Sequence, residues 1–158
     1  EQCPSCGNWY NQIGIHWANS SCEYPTISAS KFRMLQGLLM GDGSLNVHSV
    51  TPYIVINNTN KTFLNYLSTA FGWFTGDVCL SQTNVERVNR ESNGFDTSVG
   101  SSHDAYKLRT RRHPVCEQFK SWYETGKKVF PRIQFTPEQL RMWYVSDGGI
   151  QKGGMSVS

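Results

Sequence analysis

The sequence of 158 residues predicts an α+β fold in which helices alternate with pairs of antiparallel strands. Three observations support this prediction. An apolar helical stretch that ends in Asp-Gly occurs twice, strand-like and helix-like segments alternate between the two copies, and cysteines and a histidine near the start have a metal-ligand spacing. A chain of this length can bury a hydrophobic core of its own.

The two related stretches are LQGLLMGDG, residues 35–43, and LRMWYVSDG, residues 140–148. Each is an apolar helical run that places one carboxylate, Asp42 or Asp147, where the helix ends at glycine. One copy alone would fit equally well a buried helix with an Asp-Gly cap. Two copies favour a pair of helices that bring both aspartates together at one end, an arrangement that can bind metal and hydrolyse a phosphodiester.

The two copies differ in the residues that would face each other. Gly37 and Gly41 stand four apart in the first copy, so they share a helix face and allow another backbone to approach closely. Met142 and Ser146 occupy those places in the second copy. We therefore expect an asymmetric contact, with Met142 lying over the small residues of the first helix.

The segments that follow the first stretch predict a hairpin and a second helix. Ser28 can cap the first helix, whose apolar face comprises Phe32, Leu35, Leu38 and Leu39. After Gly43, polar and apolar residues alternate as far as His48, and YIVIN follows Pro52. Phe63, Leu67 and Phe71 then recur at helical spacing, and a strand is expected near residues 78–82.

The later segments complete the element order αββαββα between Ser28 and Gly126. Residues 83–104 form a long polar loop or hairpin tip, and Lys107, Arg109 and Arg111 alternate with apolar or small residues in a strand. A third helix begins at Pro114, with Val115, Phe119 and Trp122 facing inward. The last helix has a strong start in Thr136, Pro137 and Gln139.

The first 22 residues predict a zinc site. Cys3, Cys6, His16 and Cys22 supply three thiolates and one imidazole, enough to close a tetrahedral structural site. A redox CxxC with an unrelated histidine would share the spacing. Trp9 and Trp17 are expected to form the small core of this module. Cys79 and Cys116 stand alone and are expected to be buried hydrophobes.

Both Asp-Gly stretches resemble the LAGLIDADG motif of homing endonucleases, with Asp42 and Asp147 at the acidic position. The resemblance implies an αββαββα half-domain with a saddle-shaped antiparallel sheet, and Mg²⁺ bound by both aspartates with the carbonyls of Gly41 and Ser146 as further ligands. The GKKVFP segment, residues 126–131, resembles the family's KKxxP segment. This resemblance implies that Lys128 is the catalytic lysine, with Lys127 as the second choice. A lysine pair that interacts with a helix C-terminus is the structural alternative.

One face of the predicted sheet is expected to contact duplex DNA. Arginines on a strand can bind guanine edges while lysines bind phosphates. An edge strand protected by charge would look similar. The residues expected to form this face are Ser44, Asn46, His48, Lys107, Arg109 and Arg111.

The resemblance therefore implies a site-specific endonuclease that cuts both strands of duplex DNA with Mg²⁺, with the family's usual role in intron or intein mobility. Two alternatives from other classes are an intron maturase that binds RNA without cleavage and a zinc-module DNA-binding regulator. Intact acidic residues in both motifs argue against a pure binder.

We expect three parts: a zinc module over residues 1–27, a first half-domain over 28–133, and a second half-domain that begins at 134 and is truncated at 158. The complete protein is expected to be a monomer. The net charge of +3 alone does not identify a polyanionic partner. No apolar run approaches membrane-spanning length, so an intracellular protein without a signal segment is expected.

Overall fold

The computed structural model describes residues 1–49, 51–85, 103–123, 127–130, 132, 134–151 and 154–157. Its helices are α1 (Ile13–Asn19), α2 (Ala29–Met40), α3 (Lys61–Phe71), α4 (Pro137–Asp147) and two 3₁₀ helices, Gly72–Phe74 and Pro114–Tyr123. Its strands are β1 (Gly43–Asn46), β2 (Tyr53–Asn58), β3 (Cys79–Val85), β4 (His103–Arg109), β5 (Gly148–Gln151) and β6 (Gly154–Val157). The predicted element order is present, with a 3₁₀ helix in place of the third α-helix.

The main sheet is antiparallel with strand order β1-β2-β4-β3. Leu45 pairs with Ile54, and Ile56 pairs with Leu108, so these four side chains share the buried face. Alternation along each strand sends the intervening polar residues to the other face. The predicted α+β class with an antiparallel sheet is confirmed.

The core lies between the buried face of the sheet and the helices. It consists of apolar side chains from α2, α3, the strands, the 3₁₀ helices and α4. Its fully buried members include Leu35, Leu38, Leu39, Leu64, Leu67, Phe71, Phe74, Leu108 and Phe119. Cys116 is buried here as predicted, and burial raises the pKa of its thiol to about 12. The prediction for Cys79 is wrong, because this residue is exposed on β3.

Several strand bounds differ from those predicted. β1 ends at Asn46, so His48 follows the strand, and β4 ends at Arg109, so Arg111 lies beyond it. β3 and β4 extend into the polar segment predicted as a loop or hairpin tip, whose residues 86–102 lie outside the described residues. The predicted end of the third helix near Gly126 also falls outside them.

Helices α2 and α4 pack against each other and run in the same direction. Arg33 lies 3.8 Å from Glu138, Gln139 Nε2 donates to Gln36 Oε1 at 2.6 Å, and Gly37 faces Met142. Residue numbers therefore rise together along both helices. A Cβ added at Gly37 would lie 2.8 Å from the Met142 Cβ and closer still to the Gln139 carbonyl oxygen, which confirms the predicted asymmetric contact.

The helix starts follow the predicted capping chemistry. The Ser28 hydroxyl accepts a hydrogen bond from the Lys31 N–H at 3.3 Å. At α4 the Thr136 N–H donates to Gln139 Oε1 at 2.7 Å, while the Gln139 N–H donates to the Thr136 hydroxyl at 3.4 Å. This reciprocal pair is a capping box. It fixes where α4 begins, and hence where Asp147 falls at its end.

An antiparallel hairpin follows each acidic helix directly. β1 and β2 follow α2, and β5 and β6, which pair from Gly148↔Val157 to Gln151↔Gly154, follow α4. The second Asp-Gly stretch is thus followed by an antiparallel hairpin, as the first one is.

The first 22 residues, which we call the cysteine-rich segment, form a second hydrophobic cluster of Cys3, Ile13 and Trp17. The prediction for Trp17 is confirmed, whereas Trp9 is 75% exposed and does not belong to a core. Trp17 meets Trp73 edge to face, with ring centroids 5.6 Å apart. The division at residues 27/28 and 133/134 stays a prediction. Among the described residues, no helix is long and apolar enough to cross a membrane.

A Gly37→Ala substitution should destabilise the protein by about 1–3 kcal/mol, because the added methyl group has no space against α4. Urea unfolding measures the change. Gly14→Ala is the matched control, since a Cβ there meets nothing within 4 Å. Equal stability of the two variants would contradict the helix contact described above.

The pH dependence of stability should include a contribution from His113. Burial lowers the pKa of this imidazole from 6.5, although its Nε2 contact with the Pro25 carbonyl oxygen at 3.0 Å opposes the shift. The unfolded chain therefore binds the proton more readily, and this contribution to stability is present above pH 6.5 and lost as the pH falls below it. His113→Gln should flatten the fall in unfolding free energy that urea unfolding measures between pH 7.5 and pH 5.5, and an unchanged fall would contradict this contribution.

Candidate metal centres and nucleic-acid interface

Asp42 lies in the tight turn between α2 and β1. The Gly41 N–H donates to the Leu38 carbonyl at 3.1 Å and ends the helix. A Cβ at Gly43 would lie 2.7 Å from the Leu38 carbonyl oxygen, so the turn requires glycine after the aspartate. The half-buried Asp42 carboxylate is thus held at a fixed distance from the end of α2.

Asn58, at the end of β2, donates from Nδ2 to Asp42 Oδ2 at 2.6 Å. This contact fixes the orientation of the carboxylate. Asn58 was not among the residues predicted from the sequence, although the polar pair Asn57-Asn58 at the end of an apolar strand was a visible signal. The Asn58 amide also places a neutral polar group beside the Asp42 carboxylate, where a charged ligand would bind.

Asp147 is the last residue of α4, and it follows the contact between the two helices by as many positions as Asp42 does. Gly37 faces Met142, and each aspartate comes five positions later in its own chain segment (42 − 37 and 147 − 142). Because α2 and α4 run in the same direction, both segments deliver their aspartate at the same end. The side chain of Asp147 lies outside what the structure describes, so the pairing of the two carboxylates stays a prediction.

Lys128 contacts the turn that carries Asp42. Its Nζ donates to the carbonyls of Leu39, Gly41 and Gly43 at 2.9, 2.8 and 3.0 Å. An ammonium group has three donors, and these three bonds match that number. The lysine therefore stabilises the C-terminal end of α2, the structural alternative considered for it, and also places a positive charge beside the acidic turn. Gly126 and Pro131 of the same segment lie outside the described residues.

The remaining predicted ligands of this centre are backbone carbonyls. Gly41 O already accepts from Lys128, and a carbonyl oxygen retains a second lone pair. Ser146 is buried, and its hydroxyl donates to the Trp143 carbonyl at 3.0 Å. Carboxylate and carbonyl oxygens form a donor set that suits a hard divalent cation such as Mg²⁺.

The face of the main sheet turned away from the core is polar and basic, and we call it the open face. Register brings Ser44, Val55 and Arg109 into one row. Asn57, Lys107 and Cys79 form the next row. Arg109 also lies over the Tyr53 ring, 6.0 Å from its centroid. The open face therefore includes the predicted Ser44, Asn46, Lys107 and Arg109, together with Tyr53, Val55, Asn57 and Cys79, which the sequence analysis missed.

Two of the predicted DNA-contacting residues lie outside the strands. His48 is exposed just beyond β1. The Arg111 side chain is held in place by two partners. Its guanidinium donates to the Trp73 carbonyl and forms a bidentate pair with Glu1, with Nη2 2.7 Å from Oε1. The expectation that Arg111 continues the basic face of β4 is therefore wrong, because the strand ends at Arg109 and the charge is already paired. Contact of either residue with DNA stays a prediction.

The cysteine-rich segment brings its four predicted ligands together. The ligand atoms of Cys3, Cys6, His16 and Cys22 all lie within 4.8 Å of one another. Cys3 Sγ is 3.7 Å from Cys22 Sγ, and Cys6 Sγ is 3.6 Å from His16 Nε2. This Cys₃His set matches a closed structural zinc site, so the cluster could hold zinc.

The thiols differ in their readiness to ionise. Burial raises the pKa of Cys3, but hydrogen bonds from the backbone of Cys6 and Ser5 and from the Trp17 indole outweigh it and lower this pKa to about 6. Burial and the neighbouring thiols raise the pKa of Cys22 to about 11. The neighbouring thiolates repel one another, and a bound cation would offset this repulsion.

His16 is oriented by two neighbours. Its Nδ1 lies 3.3 Å from the Ser20 hydroxyl, which leaves Nε2 directed at Cys6. The Tyr10 ring stacks on the imidazole with centroids 3.7 Å apart. An outer contact of this kind fixes the ring of a metal-binding histidine.

A comparison with models of known protein families identifies the family of this chain. The sequence model of the LAGLIDADG DNA endonuclease family matches residues 32–158, which is more than half of the chain. The chain belongs to that family.

One similar solved structure is the homing endonuclease I-WcaI bound to its DNA recognition sequence. The two share 18% sequence identity with a TM-score of 0.64, over 94% of this chain and 63% of that one. At this identity the likeness supports the fold, and the chain spans under two thirds of that structure's length. Among curated proteins, no match is found.

Replacing Cys3 and Cys6 together by serine should release one zinc ion per chain, because the cluster would keep two of its four ligands. Mass spectrometry of the purified protein measures the metal. Cys79→Ser, at an exposed cysteine outside the cluster, is the control and should retain zinc. Unchanged zinc content in the double variant would refute the four-ligand assignment.

Proposed function

We propose that this chain is part of a site-specific endonuclease that hydrolyses phosphodiester bonds of duplex DNA with a divalent metal ion, Mg²⁺ being the best match. The observation that carries the proposal is the contact between two helices that run in the same direction, with an aspartate five positions after the contact in each segment. Asp42 lies in the turn after α2 and Asp147 is the last residue of α4, beside an open sheet face that carries Lys107 and Arg109.

The open face would bind the DNA, and the ends of the two helices would carry the chemistry. The open face would lie along the major groove, with arginine and amide side chains against base edges and lysine against phosphates. The helix ends would then meet the backbone at the scissile phosphate. Bound metal would polarise that phosphate and lower the pKa of the attacking water. Attack of the water on phosphorus, with cleavage of the bond to the 3′ oxygen, would leave a 3′ hydroxyl and a 5′ phosphate.

Asp42 and Asp147 would each bind metal, with the carbonyls of Gly41 and Ser146 as further ligands. Asn58 would act as a positioning residue, since its amide holds Asp42 Oδ2 at 2.6 Å. Lys128 would supply positive charge next to the reacting phosphate while it fixes the turn. The three carbonyl contacts of Lys128 support a structural role in holding the Asp42 turn, and this role is independent of the proposed role in catalysis.

The cysteine-rich segment would bind structural zinc through Cys3, Cys6, His16 and Cys22. Four protein ligands leave no position for water, so this zinc would stabilise a segment with a core of only three buried hydrophobic residues. Cutting of both strands, the three-part domain division and a monomeric state are proposals for the whole protein.

The test is cleavage of a randomised duplex library with and without Mg²⁺. Asp42→Asn should lower the cleavage rate by about 100-fold or more, because it removes a metal ligand, and Asp147→Asn should do the same. Both variants should still bind DNA, since neither change touches the open face. Sequencing of cut ends measures cleavage and the 5′ phosphate.

Asp77→Asn removes an exposed carboxylate outside the acidic turn and should cleave as the wild type does. Asn58→Ala should slow cleavage less than Asp42→Asn, and Asn58→Gln should restore part of the rate. Cleavage that survives in both aspartate variants would refute the metal site.

A further inference from the structure

A groove separates the cysteine-rich segment from the end of the main sheet. It has a volume of about 500 Å³. One side is lined by Asn11, Gln12 and Ile15, and the other by Tyr53, Arg109 and Arg112. We call it the module groove. It is built from both parts of the chain, so neither part alone would form it.

The charge of the module groove is positive. Glu1 and Arg111 also line it, but they form a bidentate ion pair and neutralise each other. Arg109 and Arg112 remain, both exposed, so the charges of the lining side chains sum to two positive. Asn11 and Gln12 add exposed amide groups on the opposite side, and the Gln12 side chain makes no capping bond to α1.

The parts on either side of the groove are held together by contacts between the cysteine-rich segment and the rest of the chain. Trp17 packs on Trp73, and Arg111 joins the Trp73 carbonyl to Glu1. Pro25 and His113 form a further link at 3.0 Å. The groove is therefore a preformed surface, and its polar groups need little ordering when they bind.

The module groove is continuous with the open face. Arg109 and Tyr53 belong to both surfaces, and β2 runs from Tyr53 in the groove to Asn58 at the Asp42 carboxylate. Five strand steps at about 3.4 Å each place the groove roughly 17 Å from the acidic turn. Duplex DNA rises about 3.4 Å per base pair, so that distance equals about five base pairs.

We infer that the module groove binds the sugar-phosphate backbone of the same duplex, about five base pairs to the outer side of the scissile phosphate. This inference rests on the proposed function. A strand with a charge at every nucleotide fits a channel with two exposed arginines on one side and amide donors on the other. The cysteine-rich segment then lengthens the DNA contact by closing one side of this channel.

The test uses a duplex selected from a random library by the wild-type chain without added divalent cation, so that it is not cut. Arg112→Gln is compared with Arg141→Gln, which removes the same charge from an exposed residue of α4. Ethylation interference maps the phosphates that each protein needs, and titration against salt counts them. Circular dichroism and zinc content verify that both variants fold.

Arg112→Gln should lose interference at phosphates about five base pairs outside the cleavage position, bind several-fold more weakly, and reduce the slope of log affinity against log salt by about 0.9. Arg141→Gln should retain the wild-type pattern. An Arg112→Gln pattern identical to that of the wild type would overturn the inference and leave the endonuclease proposal standing. A wild-type chain that selects no duplex would overturn both.

Discussion

The close contact between α2 and α4 is the constraint on which the acidic centre depends. Gly37 has no room for a side chain because the backbone of Gln139 and the side chain of Met142 lie against it. This contact sets the register of the two helices, and the register sets the level of Asp42 and Asp147. Helix starts at Ser28 and Thr136 then define how much helix precedes each aspartate.

Much of this arrangement could be predicted from the sequence because it depends on local rules. Capping residues and apolar periodicity indicated the element order, and metal-ligand spacing indicated the gathering of Cys3, Cys6, His16 and Cys22. The facing of Met142 on Gly37 came from comparing the two Asp-Gly stretches position by position.

What could not be predicted depends on contacts between distant segments. Asn58 meets Asp42 only because β2 pairs with β1 in one register, and Arg111 pairs with Glu1 across 110 positions of sequence. Alternation suggested a longer β4, but the strand ends at Arg109, and the Arg111 backbone N–H donates to the Phe74 carbonyl. Trp9 and Cys79 were expected to be buried from their residue type alone, and both are exposed, because neither lies on a face that another element covers.

The alternation of the main sheet separates stability from recognition at the level of single positions. Ser44, Val55 and Asn57 carry their side chains on the open face, while their neighbours Leu45, Ile54 and Ile56 fill the core. A protein engineer could therefore vary the first set, which is the proposed DNA-contacting set, without changing the volume of the core. Gly43 marks the limit of that freedom, because β1 begins where the acidic turn ends and a side chain at this position would collide with the Leu38 carbonyl.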